Sequence, residues 1–149
     1  MKNLLIISVF SVIFFSCGGK KESAQSYAPT AKSEQPSLEN HPGKSLFQQH
    51  CSACHQLDGG GVPNMFPPLK ESEYINGEVK WIVSSLVKGL EGPITVKGVE
   101  YDNMMPAMDY LSDEDIANIL TYVRGSFGNN SGAVTAGEVN KIREELKNE

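Results

Sequence analysis

The sequence has no excess of basic charge: 13 Lys and Arg stand against 18 Asp and Glu in 149 residues, for a formal net charge of −5. No nucleic-acid partner is expected of such a chain, because that contact needs clustered cations. Cysteine is scarce. Three residues cannot build a disulfide scaffold, and the odd number leaves one to be accounted for. Histidine is as sparse, at three, so no second Cys pair or His pair completes a four-ligand zinc site. The 14 Gly and 8 Pro are near average usage, which excludes collagen-like and wholly low-complexity chains. Long apolar runs are missing too. Leu4 to Phe15 is broken by Ser8 and Ser11 and has twelve residues. At a rise of ~1.5 Å each they reach roughly 18 Å, well short of a ~30 Å hydrocarbon core.

That run follows Met1-Lys2-Asn3 and reads as the apolar region of a secretory signal, residues 1–16, and not as a membrane span. It ends in Ser16-Cys17-Gly18-Gly19, small residues around one cysteine, which resembles the lipobox of bacterial lipoproteins. The resemblance implies cleavage before Cys17 and acylation of that residue, and several acyl chains anchor stably where one does not. A secreted protein with a free Cys17 thiol is the rival reading. Gly18, where an Asp would signal inner-membrane retention, favours the outer membrane. Residues 18–42 are rich in Ser, Pro, Ala, Gln and Glu, with Tyr27 and Leu38 their only large apolar side chains. They cannot bury enough surface to offset their ordering entropy, so residues 17–42 read as lipidated Cys and disordered tether. A flexible coil of that length would reach roughly 25–30 Å.

Pattern returns at Gly43. Lys44 to Cys54 predicts a short helix, and Gln56 to Lys70, with three consecutive glycines and three prolines, predicts loop. Glu78 to Lys88 places Trp81, Ile82, Val83 and Leu86 at helical spacing, with Gly89 as its stop. Pro93 to Tyr101 alternates around Gly98 and predicts a short β-hairpin near 94–101. Ser112 followed by Asp113-Glu114-Asp115 opens the clearest helix, an N-cap ahead of an acidic first turn. Its stripe is Ile116, Ile119, Leu120 and Val123, and Gly125 or Gly128 ends it. A capping box, Thr135-x-x-Glu138, starts a last helix with Val139, Ile142 and Leu146 on one face.

The informative motif is Cys51-Ser52-Ala53-Cys54-His55. Two thiols three positions apart with an imidazole directly after them read as c-type haem attachment. The spacing lets both sulfurs form thioethers to one porphyrin, and the histidine supplies a neutral nitrogen to the iron. A thioredoxin-like redox pair needs a preceding strand and a βαβ pattern, which are not present. His41 and His50 are expected to be solvated. The sixth iron position is open to Met65, Met104, Met105 or Met108. Met65 lies in the loop that must stay on the His55 side of the ring and is disfavoured. Met105 is favoured among the rest because Pro106 restricts the residue before it.

Gly43-x-x-x-Phe47-x-x-x-Cys51-x-x-Cys54-His55, Phe66-Pro67-Pro68-Leu69, Met105-Pro106-Ala107 and Leu111-Ser112-Asp113-Glu114-Asp115-Ile116-Ala117 through Phe127-Gly128-Asn129 together resemble class I cytochrome c. They are most similar to the monohaem domains that accompany periplasmic dehydrogenases, copper nitrite reductases and terminal oxidases. The resemblance implies an all-α fold packed around one covalent haem c over residues 43–128, with 129–149 a C-terminal extension carrying a short helix. It implies Cys51 and Cys54 as attachment points, His55 and Met105 as axial ligands, and a Pro67 or Pro68 carbonyl accepting from His55. It places Gly43 and Phe47 against the last long helix near Leu120 and Tyr122.

With both axial positions filled by protein, outer-sphere electron transfer is expected, without enzymatic activity or a small-molecule substrate. The domain carries 6 basic against 11 acidic side chains from Lys44 to Phe127, so a redox partner with a basic docking patch is expected. The site of action is extracytoplasmic, on the periplasmic side, anchored to the membrane by lipid. Two other readings stand: a haem-based gas sensor or peroxidase-like enzyme with a dissociable Met, and a non-redox surface lipoprotein.

Overall fold

The computed structural model describes residues 38–149. The signal segment, Cys17 and most of the tether lie outside them. The described chain is mostly helical: α1 (Pro42–His50), α2 (Ser52–His55), α3 (Val79–Lys88), α4 (Asp113–Gly125) and α5 (Ala136–Lys147). One antiparallel hairpin, β1 (Ile94–Val96) and β2 (Val99–Tyr101), joins α3 to α4 and pairs Ile94 with Tyr101 and Val96 with Val99. Among the described residues, no helix is long and apolar enough to cross a membrane.

Three of these helices, α1, α4 and α5, begin where a side chain accepts from their first backbone donors. Pro42 occupies the first turn of α1, where its missing N–H costs nothing, and the Nδ1 of His41 accepts from the Gly43 amide. His41 is therefore a cap and not a solvated bystander. The helix starts two residues before Lys44 and stops at His50; a separate turn, α2, carries Cys54 and His55. α4 and α5 open with reciprocal boxes, Ser112 with Asp115 and Thr135 with Glu138.

The core is built where α1 crosses α4 and α5 backs onto both α3 and α4. Phe47, fully buried, packs on Tyr122 and Phe127 with ring centroids 5.8 and 5.2 Å apart. The C-terminal extension is part of this core and not an appendage: Val134, Val139 and Ile142 are buried in it. At the other end, Leu38 also packs against the core, beside Gly125, so the ordered domain begins before Gly43. Arg124 is buried as well. Its guanidinium donates to the carbonyls of Ile75, Gly77 and Gly132, which ties the chain ahead of α3 to the end of α4.

Gly43 makes the α1–α4 crossing possible. A Cβ there would lie 1.9 Å from the Asn118 carbonyl oxygen and 2.8 Å from the Tyr122 Cβ. Neither is the free end of a flexible chain, so the helices themselves would have to part. Gly43→Ala is expected to destabilise the haem-loaded protein by about 1–3 kcal/mol, read as a lower thermal midpoint; an unchanged midpoint would contradict the crossing as described.

Candidate functional site

An open cleft runs between α2, the loop after it, the end of α3 and the face of α4. Its lining is almost entirely apolar, with Phe66, Leu69, Ile82, Leu86, Leu120 and Val123 prominent. The space between its walls is about 1200 Å³ with the open mouth included. Cys51, Cys54 and His55 all line it, as do Met104, Met105 and Met108.

The cysteine motif stands where α1 gives way to α2. The Cys51 amide still bonds to Phe47 O at the end of α1, and the amides of Cys54 and His55 both donate to Cys51 O. The two sulfurs are not joined in a disulfide. Burial, and then the nearby Cys54, push the Cys51 thiol up to about 12, so it is no thiolate nucleophile of the redox-enzyme kind. His55 is half-buried, and its Nδ1 lies 2.9 Å from the Pro67 carbonyl oxygen. A carbonyl can only accept, so Nδ1 carries the proton and Nε2 keeps its lone pair. Burial depresses the His55 pKa, with the Pro67 bond opposing it, and the imidazole is neutral at pH 7. The intervening loop is shaped for this contact: Gly61 donates to His55 O, and Val62 and Phe66 pair with each other. Of the two prolines considered from sequence, Pro67 makes the bond.

The methionines separate by position. Met65 is 48% exposed and is not part of the cleft lining. Met104 is 65% exposed at the mouth, Met105 is half-buried, and Met108 is 8% exposed. Met105 exchanges both backbone hydrogen bonds with Leu90, each 2.9 Å, and the Met108 amide donates to Leu86 O at 2.7 Å. The end of α3 is thus the platform for the methionine loop. Gly89 closes that helix at φ +75° with its Cα turned to the loop, and a Cβ on it would lie 2.5 Å from Met105 O. His50 also borders the cleft, its Nδ1 3.3 Å from the Tyr110 hydroxyl, so it is not simply solvated. Tyr74, Trp81 and Tyr101 line the cleft, the first two with rings 4.2 Å apart. Asn103 was not singled out from sequence. Its Nδ2 donates to Met65 O and joins the two loops at the mouth, a contact across 38 residues that no local pattern announces.

Among the described residues, no group of three or more His, Cys, Asp or Glu converges as a self-sufficient metal cluster. A model of the cytochrome c family matches residues 41–126, more than half of the chain. The chain belongs to the cytochrome c family. It is 34% identical over 110 residues to cytochrome c-552 from Thermus thermophilus, covering 68% of this chain and 83% of that protein. It is 33% identical over 105 residues to the cytochrome c subunit of the alcohol dehydrogenase (quinone) from Gluconacetobacter polyoxogenes. That match covers 69% of this chain and 22% of the subunit. A third similarity, 31% over 93 residues, is to the cbb3-type cytochrome c oxidase subunit FixP of Azorhizobium caulinodans, covering 62% of this chain and 31% of FixP.

The family's cofactor is covalent haem c with its iron, and one Cys-x-x-Cys-His makes this a monohaem domain. The cleft fits that group. Close-packed interiors leave few voids larger than a water, yet here a wide apolar cleft carries both thiols of the motif and a neutral imidazole with a fixed tautomer. The apolar side chains along the cleft lack partners on its open side, so a tethered apolar macrocycle would complete the core. The Cys51→Ala/Cys54→Ala variant is accordingly expected to be largely unfolded by circular dichroism and to lack a cooperative thermal transition. A native-like transition in that variant would contradict the haem as part of the core.

Proposed function

We propose that this protein is a membrane-tethered monohaem electron carrier, with Cys51 and Cys54 as thioether attachment points and His55 and Met105 as axial ligands. The observation that carries the reading is the Cys51–His55 motif opening onto the same apolar cleft as a methionine loop pinned to Leu86 and Leu90. When bound, haem c supplies reversible one-electron iron chemistry. The chain's own residues set its terms. The Pro67 carbonyl holds the His55 ring in one tautomer and orientation and raises its basicity as a ligand. A thioether ligand raises the reduction potential, and the apolar walls exclude water. Met105 is preferred over Met104, which is largely exposed, and over Met108, which is buried in the core cluster.

In this reading residues 1–16 are a lipoprotein signal, Cys17 carries lipid, and the stretch from there to the start of the folded domain at Leu38 tethers it on the extracytoplasmic, periplasmic side, with the outer membrane favoured. The partners are redox proteins, and the names of the dehydrogenase and oxidase relatives give their class. The mouth suits such a partner. Leu57, Met65, Met104 and Tyr110 are exposed apolar side chains on the two loops that border it, 56–66 and 102–110. These loops carry Asp58, Asp102 and Asp109 and no Lys or Arg, which favours a partner with an apolar patch among cations.

A haem stain on a denaturing gel, followed by a ferric spectrum, tests the reading. A covalent haem band is expected, with a weak far-red sulfur-to-iron charge-transfer band that Met105→Ala abolishes. Absence of stain would leave the non-redox lipoprotein. Ready binding of carbon monoxide to the reduced native protein would favour the sensor or peroxidase-like reading. Acylation is checked by a mass shift that Cys17→Ser removes.

Charge at the mouth is tested separately. Asp102→Lys is expected to slow electron exchange with a cationic ruthenium ammine complex several-fold at low salt, with the difference fading as ionic strength rises. The same substitution should speed exchange with an anionic complex, measured by stopped flow.

A further inference from the structure

The loop that carries Met105 has a second support, on a helix beyond the stretch matched by the family model. Arg143 of α5 donates from Nη1 to Asp109 O at 3.2 Å and from Nη2 to Leu111 O, and its Nε lies 2.9 Å from Asp113 Oδ1. The side chain is 18% exposed. Asn140, one turn earlier on the same helix, donates to the other Asp113 oxygen at 2.9 Å. The end of α5 is tied to α3 as well: Lys80 meets Glu145 and Glu149, and Lys88 meets Glu149, at 3.1–3.2 Å. Leu86 of α3 and Leu90, just past the end of that helix, hold Met108 and Met105. α5 therefore touches both supports of residues 105–111.

We propose that Arg143 is a positioning residue for the methionine loop, holding Met105 in place through the carbonyls of Asp109 and Leu111. The proposal rests on Met105 as an iron ligand. Three features point to this role over simple packing of α5. Val139 and Ile142 already bury the apolar face of that helix, so Arg143 is not needed to dock it. The guanidinium donates to two carbonyls of one short segment at once, a task for a planar fork that a lysine ammonium performs poorly. The segment it grips is the one between the Met108 amide and the Ser112 cap of α4, where the loop has no strand or helix of its own.

The consequence is a population effect. With Met105 as ligand, an external ligand would reach the haem iron only in molecules whose Met105 side chain has moved away, so its apparent affinity would scale with that fraction. Releasing the two carbonyls raises the fraction.

The test uses the full-length, haem-loaded protein and four variants. Arg143→Met keeps the stem and removes the fork, Arg143→Lys keeps the charge, and Asn76→Ala breaks the remote bonds to Asn129 and Ser131 as a control for general destabilisation. Met105→Ala monitors the ligand itself. Readouts are imidazole affinity of the ferric form, the far-red band, amide hydrogen exchange at Met105 and Met108, and the thermal midpoint. Arg143→Met is expected to bind imidazole roughly tenfold more tightly, with faster exchange at both amides and Arg143→Lys in between. Asn76→Ala should lower the midpoint and leave imidazole affinity alone. Affinity and exchange within twofold of the parent in Arg143→Met would overturn the proposal, as would an equal shift in Asn76→Ala. If Met105→Ala keeps the band and the parent's imidazole affinity, the ligand assignment has failed and with it the proposal; exchange at the two amides then still reports whether Arg143 holds the segment.

Discussion

Where α1 crosses α4, the backbone of Gly43 lies against the Asn118 carbonyl with no room for a side chain, and this approach decides where the far end of α1 can be. One helix-length on, that end is Cys51, its amide still bonded to Phe47 O. Phe47 fills the angle between the helices against Tyr122 and Phe127. The face of α4 that continues past the crossing supplies Ile119, Leu120 and Val123 to the cleft. One close contact thus sets the separation between the attachment motif and the apolar wall opposite α1. A wider crossing would move both thiols relative to everything else that lines the cleft.

The two sides of the cleft are held by different means. On the histidine side the restraint is local: within a dozen residues the chain leaves His55, turns through its glycines and returns to present the Pro67 carbonyl to the imidazole. On the methionine side the restraint is borrowed. Residues 105–111 have no regular structure and take their position from Leu86, Leu90 and the α5 guanidinium. Gly89 belongs to this arrangement, because its left-handed backbone and bare Cα let Leu90 turn back to pair with Met105. Loosening any remote element is therefore felt first on the methionine side, and the histidine side is the fixed reference.

Legibility in the sequence follows the range of each interaction. The N-cap at Ser112, the capping box at Thr135, the stripe of α4, the turn at Gly98 and the Cys51–His55 motif are each complete within a few residues, and the caps, the stripe and the turn lie where the pattern puts them. The His55–Pro67 bond entered through family resemblance, because nothing local fixes which carbonyl returns to the ring. What escaped depends on distant partners. Arg124 reads as a surface cation at the end of a helix, yet it is buried by the carbonyls of Ile75 and Gly77 from far up the chain. The face of Val139 and Ile142 was plain as an amphipathic pattern, but a period states that a face will be buried and not against what. The break between α1 and α2 was invisible for a related reason: Ser52 and Ala53 do not forbid helix, and the turn of the chain at Cys51 is a tertiary choice.

The distribution of charge follows from the same economy of contacts. Lys44, Lys80, Lys88, Lys97 and Lys147 are each within ion-pair distance of a glutamate. Exposed pairs of this kind add little stability singly, but each cancels a local field. The loops at the mouth have aspartates, exposed apolar side chains and no cation of their own. Asp109 is the partial exception, because Arg143 grips its backbone from behind. Asp58 and Asp102 keep the full effect, and a low-dielectric cleft beside them concentrates it. A chain whose net charge is modest can in this way present aspartates among exposed apolar side chains at the mouth of its cleft.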